Sequence, residues 1–357
     1  MGRLKETIMP LKSEDVLFVG RGATTISWYR CGAPAYALGA DWIGCGGDDP
    51  SNLNLVTALK RGGMTMPKLE DYKIVVLQQV KGHLWFNEIR RLKEKKVKVL
   101  YEIDDYIHGV SKLKHHEFKG AYDKKTVAAH ELCMSACDGL IVSTDWLMKR
   151  YAKFNRNIFL CENAVEIKRY DLEIPERDTI NIGWAGSGGH LEAAIKWVPA
   201  IRGILDDYPE ARFISVGLNI GQAPELKETG RSVTLPVCPI ECFPAVLTHF
   251  DIALGPALNN NFYAGKSDLR MLEAGALGIP LVGDPFVYKN IIHRETGMIA
   301  NNADEAYDGM KQLIEEEELF EEVCWNVRDY VHSERAMEKS GINQWERVFV
   351  QIAGQSV

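Results

Sequence analysis

The stretch from Gly255 to Pro280, GPALNNNFYAGKSDLRMLEAGALGIP, gathers residues able to hold an anion. Ser267 can cap a helix beginning at Asp268, and the free N–H groups and positive dipole end of such a helix attract a phosphate, here beside Lys266. Lys266, Arg270 and Glu273 follow one another by four and three residues and so predict one polar stripe, while Leu269, Leu272 and Ala276 form an apolar face. A salt-bridged surface stripe is the alternative. The helix lies between apolar strands, however, where a central element usually hides its polar residues in a site.

Three other loops carry candidate chemistry. In INIGWAGSGGHL (180–191), Gly186, Gly188 and Gly189 permit close backbone approach to a ligand and positive-φ turns. The loop is not a dinucleotide fingerprint, because Leu191 stands where the last Gly of G-x-G-x-x-G is needed. His190 is either an anion or sugar contact or a capping histidine. In GRGATTISWYR (20–30), Gly20 and Gly22 fail the same pattern at Thr25, and the absence of G-x4-G-K-[ST] argues against a P-loop NTPase. In YEIDDY (101–106), Glu102, Asp104 and Asp105 crowd into four residues. Such carboxylates can raise one another's pKa, bind a metal, orient sugar hydroxyls or cap a helix. No second carboxylate cluster has metal spacing, which ranks the metal role last.

These loops need strands and helices to position them. Strand-like runs at Asp15–Gly20, Tyr72–Leu77, Val97–Ile103 and Gly139–Val142 alternate with helix-like runs at Gly82–Lys95, Tyr122–Ala136 and Asp145–Phe154. That is the βαβ rhythm of a doubly wound parallel sheet. A charged stretch from Glu166 to Asp178, with Pro175 and neither period, reads as a linker. The rhythm then restarts, with strands at Ile180–Trp184, Arg212–Val216, Asp251–Leu254, Pro280–Val282 and Met298–Ala300. Helices are predicted near Leu191–Leu205, Ser267–Leu277 and Ala303–Glu317, and through Trp325 and Trp345. In open parallel sheets ligands bind at the carboxyl ends of the strands, so two such domains imply a cleft with a site on each wall.

Composition agrees with this reading. The 357 residues, 46% hydrophobic with a formal charge of −7, fit a soluble globular chain of about two domains at roughly 150 residues each. Apolar runs such as Val16 to Val19 are strand-sized, which excludes a membrane span, and Met1 to Pro10 lacks the apolar core of a signal peptide. The expected location is the cytoplasm. The eight irregularly spaced cysteines read as reduced buried thiols, and the Cys133/Cys137 and Cys238/Cys242 pairs lack the knuckle context of a zinc site. Residues 1–165 hold 25 basic and 19 acidic side chains and residues 166–357 hold 17 and 30, a balance of +6 and −13. The asymmetry either steers an anionic partner to the first half or is a fluctuation between ordinary solvated surfaces.

Taken together, IGWAGSGGH (182–190), YPEARFISVG (208–217), FDIALGPALNNNFYAGKSDLRMLEAGALGIPLVGD (250–284), ETGMIANN (295–302), YEIDD (101–105), CDGLIVSTDWL (137–147) and ENAVE (162–166) resemble the GT-B glycosyltransferases. The similarity is to the large retaining group called family 4 or "group 1", and covers nearly the whole chain. WYRCGAPA (28–35) resembles a branch found in bacteriophage genomes, which would place the protein in a host cytoplasm. The resemblance implies an α/β, GT-B architecture of two Rossmann-like doubly wound domains facing a cleft. Residues 1–165 would bind the acceptor, 166–178 would link, 179–335 would hold a nucleotide-diphosphate sugar, and a last helix within 336–357 would cross back.

The family signature is Glu-x7-Glu, whose second Glu holds the donor ribose, and Glu273 matches it; eight residues earlier stands Gly265 instead of Glu. Lys266 and Ser267 would approach the diphosphate, Ser187 and His190 stand where relatives use Arg and Lys, and Arg270, Gly186 and Gly22 would be further donor contacts. Asp104, where relatives often have His, would contact the reacting sugar or acceptor. The implied reaction is metal-independent transfer of a hexosyl or pentosyl group, with Lys266, the Ser267 helix terminus and His190 stabilising the leaving diphosphate. No cofactor is expected beyond the nucleotide sugar as co-substrate. The basic run Arg90, Arg91, Lys93, Lys95, Lys96 and Lys98 points to an anionic acceptor: a polyanionic glycan, a lipid-linked phosphate or modified DNA. Its dipole-complementing position at a helix end is the competing explanation. A GT-B nucleotide-sugar epimerase and a non-catalytic sugar-nucleotide-binding scaffold remain alternatives.

Overall fold

Continuous apolar runs become strands buried on both faces, as expected of parallel sheets covered on each side. The computed structural model describes residues 12–22, 24–54, 67–113 and 119–354, so the Met1–Pro10 reading lies outside the described residues. The strands are β1 (Val16–Gly20), β2 (Asp41–Cys45), β3 (Leu53–Asn54), β4 (Ile74–Gln78), β5 (Lys98–Ile103), β6 (Gly139–Val142), β7 (Ile158–Leu160), β8 (Ile180–Gly186), β9 (Ala211–Gly217), β10 (Ser232–Leu235), β11 (Ile252–Gly255), β12 (Leu281–Gly283) and β13 (Met298–Ile299). They form two sheets, ordered β3-β2-β1-β4-β5-β6-β7 and β10-β9-β8-β11-β12-β13. Every pairing is parallel except that of β3 with β2.

The chain divides into two compact units, one of Met1–Ile103, Ala128–Glu162 and Gly341–Val357, the other of Asp104–Val127 and Asn163–Ser340. In the first, alternate residues of β1 and β4, Val16, Phe18, Ile74 and Val76, share a core with Trp345, Val348, Phe349 and Ile352 of the Ile342–Ala353 helix. Trp345 meets Phe18 edge-on at 5.2 Å. In the second, Ile182, Trp184, Phe213, Ile252 and Val282 pack against Ile201, Ile204 and Leu205 of the Val198–Asp207 helix and Met310 of Ala303–Glu315.

Several local expectations change. The single helix predicted over Leu191–Leu205 is two, Leu191–Lys196 and Val198–Asp207, broken at Trp197. Pro199 in the first turn of the second has no N–H to continue the ladder, and its ring would crowd the Ile195 carbonyl. Strands β2, β3, β7 and β10 were not anticipated. β2 is masked in sequence by Asp41, which is buried and accepts from Tyr72 Oη at 2.6 Å. The aperiodic 166–178 stretch is anchored within the second unit. Val165 bridges Ala336, Tyr170 is buried in an Ile167–Tyr170 3-10 turn, and Arg177 Nη1 donates to His249 O at 2.6 Å. No helix among the described residues is long and apolar enough to cross a membrane.

Candidate functional site

In the second sheet the chain steps from β8 to β9 on one side and reaches β11 on the other, so the switch point falls between β8 and β11. Ligands of open parallel sheets sit outside the carboxyl ends of such a pair. Two loops meet there: 186–190 after β8, and 256–268 after β11.

In the first loop the glycines do a different job from the one expected. None of Gly186, Gly188 and Gly189 has a positive φ. A Cβ on Gly186 would stand 2.6 Å from the Trp184 indole, so this glycine makes room for a buried ring. Ser187 is exposed and leads into the 3-10 turn Gly188–His190, its carbonyl accepting from His190 N at 2.9 Å. His190 is half-buried, edge-on to Tyr263 at 5.6 Å, and its side chain does not cap the following helix. Tyr263 Oη donates to Gly189 O at 3.3 Å, tying the two loops together.

The second loop opens with Asn260, whose Oδ1 accepts from Phe262 N and Tyr263 N, both at 3.0 Å, and so caps the short Asn261–Ala264 helix. Gly265, Lys266 and Ser267 then connect to the helix Leu269–Ala276. Ser267 does not cap it. The N-cap is Asp268, and Ser267 Oγ instead accepts from Asn163 Nδ2 at 2.6 Å. Asp268 is buried, bound by Arg335 at 2.7 and 3.0 Å and by Asn290 Nδ2 at 2.6 Å, so its own carboxylate answers the helix dipole. Lys266 precedes the helix, which reduces the predicted stripe to Arg270 and Glu273. Arg270 lies 5.9 Å from the Trp184 ring centroid and donates to Tyr288 Oη at 3.3 Å. Glu273 is 8% exposed.

Tyr288 is the residue the sequence reading missed. Cβ atoms on Gly255 and Gly283, which end the neighbouring strands β11 and β12, would stand 2.5 and 3.0 Å from its ring. Burial pushes its phenol pKa up, with Glu273 and Asp268 adding to the rise and Arg270 opposing it. The signal available in sequence was the pair of adjacent strands each closing on glycine.

The YEIDD carboxylates do not act as one cluster. Glu102 is fully buried in the first unit and pairs with Arg30 Nε at 2.7 Å. Asp105, in the second unit, pairs with Lys266 Nζ at 2.6 Å. Asp104 follows β5 half-buried, just ahead of the Ile107–Val110 turn, whose N-cap position is Tyr106. Among the described residues no group of three or more His, Cys, Asp or Glu side chains could hold a metal ion.

Gly22 lies in the first unit, at φ +71° on the turn after β1, with open space where a Cβ would be. Nearby, Arg21 Nη1 donates to Gln79 Oε1 at 2.8 Å across the β1–β4 switch point. Much of the basic run is spoken for: Arg91 binds Glu88 and Glu70, Lys95 binds Glu70 at 2.8 Å, and Lys93 faces Asp138 at 3.3 Å. Hydrogen bonds from Lys95 and Arg91 hold the Glu70 carboxyl down at about 2. Cys133 and Cys137 are buried as expected, and desolvation pushes Cys133 up to about 12, but Cys242 is exposed; none of the eight thiols is in a disulfide.

Solved structures share this architecture. Sucrose-phosphate synthase from Thermosynechococcus elongatus matches over 96% of this chain and 100% of its own, with a TM-score of 0.64 at 12% identity. Anabaena HepE, solved with UDP-glucose, matches over 94% of this chain and 99% of its own, with a TM-score of 0.64 at 10% identity. TarM from S. aureus, solved with fondaparinux, alpha-GlcNAc-glycerol and UDP, matches over 80% of this chain and 56% of its own, with a TM-score of 0.57 at 15% identity. The fold is therefore the α/β fold known as GT-B, with one Rossmann-like sheet in each unit, parallel throughout but for the β2–β3 pairing. No family model and no curated protein matches the sequence.

Proposed function

We propose that this chain is a glycosyltransferase that moves a hexosyl or pentosyl group from a nucleotide-diphosphate sugar to an acceptor hydroxyl, with retention and without a metal ion. What supports the reading is that Lys266, Arg270 and buried Glu273 lie in and just after the loop that follows β11, which Tyr263 ties to the Gly188–His190 turn after β8, at the switch point of the second sheet. The donor class seen with HepE and TarM, UDP or UDP-glucose, suits those groups. Glu273 accepts hydrogen bonds from the ribose hydroxyls, while Lys266 and Arg270 face the diphosphate.

As the anomeric C–O bond breaks, negative charge grows on the departing diphosphate. Lys266 then binds it more strongly than it binds the intact donor, which lowers the barrier. Ser187 and His190 border the same anion, and Asp104 contacts the reacting sugar or the acceptor. Because the two cations provide the positive potential and Glu102 is committed to Arg30, transfer should survive EDTA unchanged. Activity lost to EDTA and regained with magnesium or manganese would remove the metal-free part of the proposal.

The direct test is release of nucleoside diphosphate from a panel of nucleotide sugars, measured with and without acceptors. Donor rearranged without any acceptor would indicate an epimerase. Gly265, standing where the related signature has Glu, favours one second reading, a non-catalytic nucleotide-sugar binder. Tight donor binding with no turnover against a broad acceptor panel would select it.

A further inference from the structure

The cation best placed to meet a diphosphate already has an anionic partner. Lys266 Nζ lies 2.6 Å from Asp105 Oδ1, with the two side chains only 21% and 18% exposed, and 4.5 Å from the Phe262 ring centroid. The segment carrying Asp105 is pressed onto the same loop. A Cβ on Gly109 would stand 3.2 Å from the Phe262 backbone, and Tyr106 stacks on His108 at 5.2 Å. The ion pair is thus held from both sides by packed elements of one unit.

We infer that Asp105 competes with the donor's diphosphate for Lys266 and thereby sets donor affinity. The inference rests on the donor-site reading above and deepens it. One ammonium cannot serve a carboxylate and a diphosphate at contact distance without bringing two anions together, and that repulsion is felt strongly in a half-buried site. A diphosphate has the charge and the oxygens to take Lys266 over, whereas a bare nucleoside does not. The fraction of molecules with Lys266 disengaged multiplies the intrinsic affinity, so any change that frees the lysine tightens binding. Asp105 is in this sense a positioning residue that acts through Lys266 and selects for multiply charged ligands.

The experiment is calorimetric titration of UDP, GDP, ADP and uridine into the wild type, Asp105→Asn, Asp105→Glu, Lys266→Ala and the Asp105→Asn/Lys266→Ala pair, with melting curves to confirm folding. Asp105→Asn should bind the preferred diphosphate about fivefold tighter, the scale of a partly screened ion pair. Asp105→Glu should return affinity toward wild type, uridine should be unaffected, and Asp105→Asn should have a clearly smaller effect on the Lys266→Ala background, where only the anion–anion repulsion is relieved. A loss of packing alone would not tighten binding. Unchanged or weaker diphosphate binding by folded Asp105→Asn, or a gain that is undiminished without Lys266, overturns the competition while leaving the donor site standing. If no diphosphate binds the wild type or Asp105→Asn, or Lys266→Ala binds as well as wild type, the donor-site reading itself fails and takes this inference with it.

Discussion

Arg335 and Asp268 meet in a buried, bidentate ion pair that fastens the end of the Glu317–Glu334 helix to the start of Leu269–Ala276. Arg335 also donates to Asn163 O, at 2.9 Å from Nη2, and the Asn163 amide in turn holds Ser267. The segment from Ser267 to Glu273 is therefore set by a hub of residues distant in sequence.

Removing one partner of this pair leaves a buried charge without its counterion. Arg335→Met should cost about 3–5 kcal/mol, while Arg335→Met combined with Asp268→Leu should recover much of the loss. Urea denaturation midpoints at constant m-value measure both. A single-variant loss under about 1 kcal/mol would mean that the pair is no more than a surface contact.

Glu273→Gln keeps the shape of the side chain and removes its charge. Nucleotide-sugar affinity or turnover should fall roughly tenfold or more, corresponding to ~1.5–3 kcal/mol for a charge-assisted bond, with the melting temperature little changed. Wild-type kinetics in this variant would move the ribose site elsewhere.

Glu166 is 7% exposed with its Oε2 unpartnered, and burial, reinforced by Glu338 against the opposing pull of Arg169, raises its carboxyl to about 7. The folded state thus holds this proton more tightly than the unfolded chain, whose carboxyl titrates near ~4.5. Its contribution to stability is complete below that value and is lost as pH rises through about 7. Glu166→Gln should match wild type near pH ~4.5 and exceed it by about 1–2 kcal/mol at pH ~8, after allowance for screening. Parallel stability-versus-pH curves for the two proteins would contradict this.

Arg91, Lys93 and Lys95 are engaged by Glu70, Glu88 and Asp138, so the basic run has less charge to offer an anionic acceptor than its sequence suggests. With donor saturating, acceptor KM should change less than about threefold between ~50 and ~200 mM salt. A steep climb in KM would instead restore a polyanionic glycan, lipid-linked phosphate or DNA acceptor.

The sheets were legible because β1, β4 and β6 are built on the apolar runs Val16–Val19, Ile74–Leu77 and Leu140–Val142, and β5 on Val99–Tyr101, and such runs have few other ways to be buried. Loops were legible as places and not as geometries. Ser267 has the local sequence of an N-cap, and only the arrival of Asn163 from a hundred residues away reassigns its hydroxyl. Asp105 and Lys266 are 161 residues apart, and no periodicity encodes a pair at that separation. Gly186 was read as an opening for a ligand because sequence cannot tell space left for a substrate from space taken by Trp184.

The last helix bears on how the protein is made. Trp345, Val348, Phe349 and Ile352 complete a core whose strands begin with β1. On a ribosome, the unit whose strands begin with β1 must therefore wait for Trp345 to Ile352 before it can close. At ~5–20 residues per second the delay after β7 is roughly ten to forty seconds, long enough for an apolar sheet face to need shielding. The second unit, continuous from Asn163 to Ser340 apart from one earlier segment, can finish sooner, which reverses the usual order in which nascent domains mature.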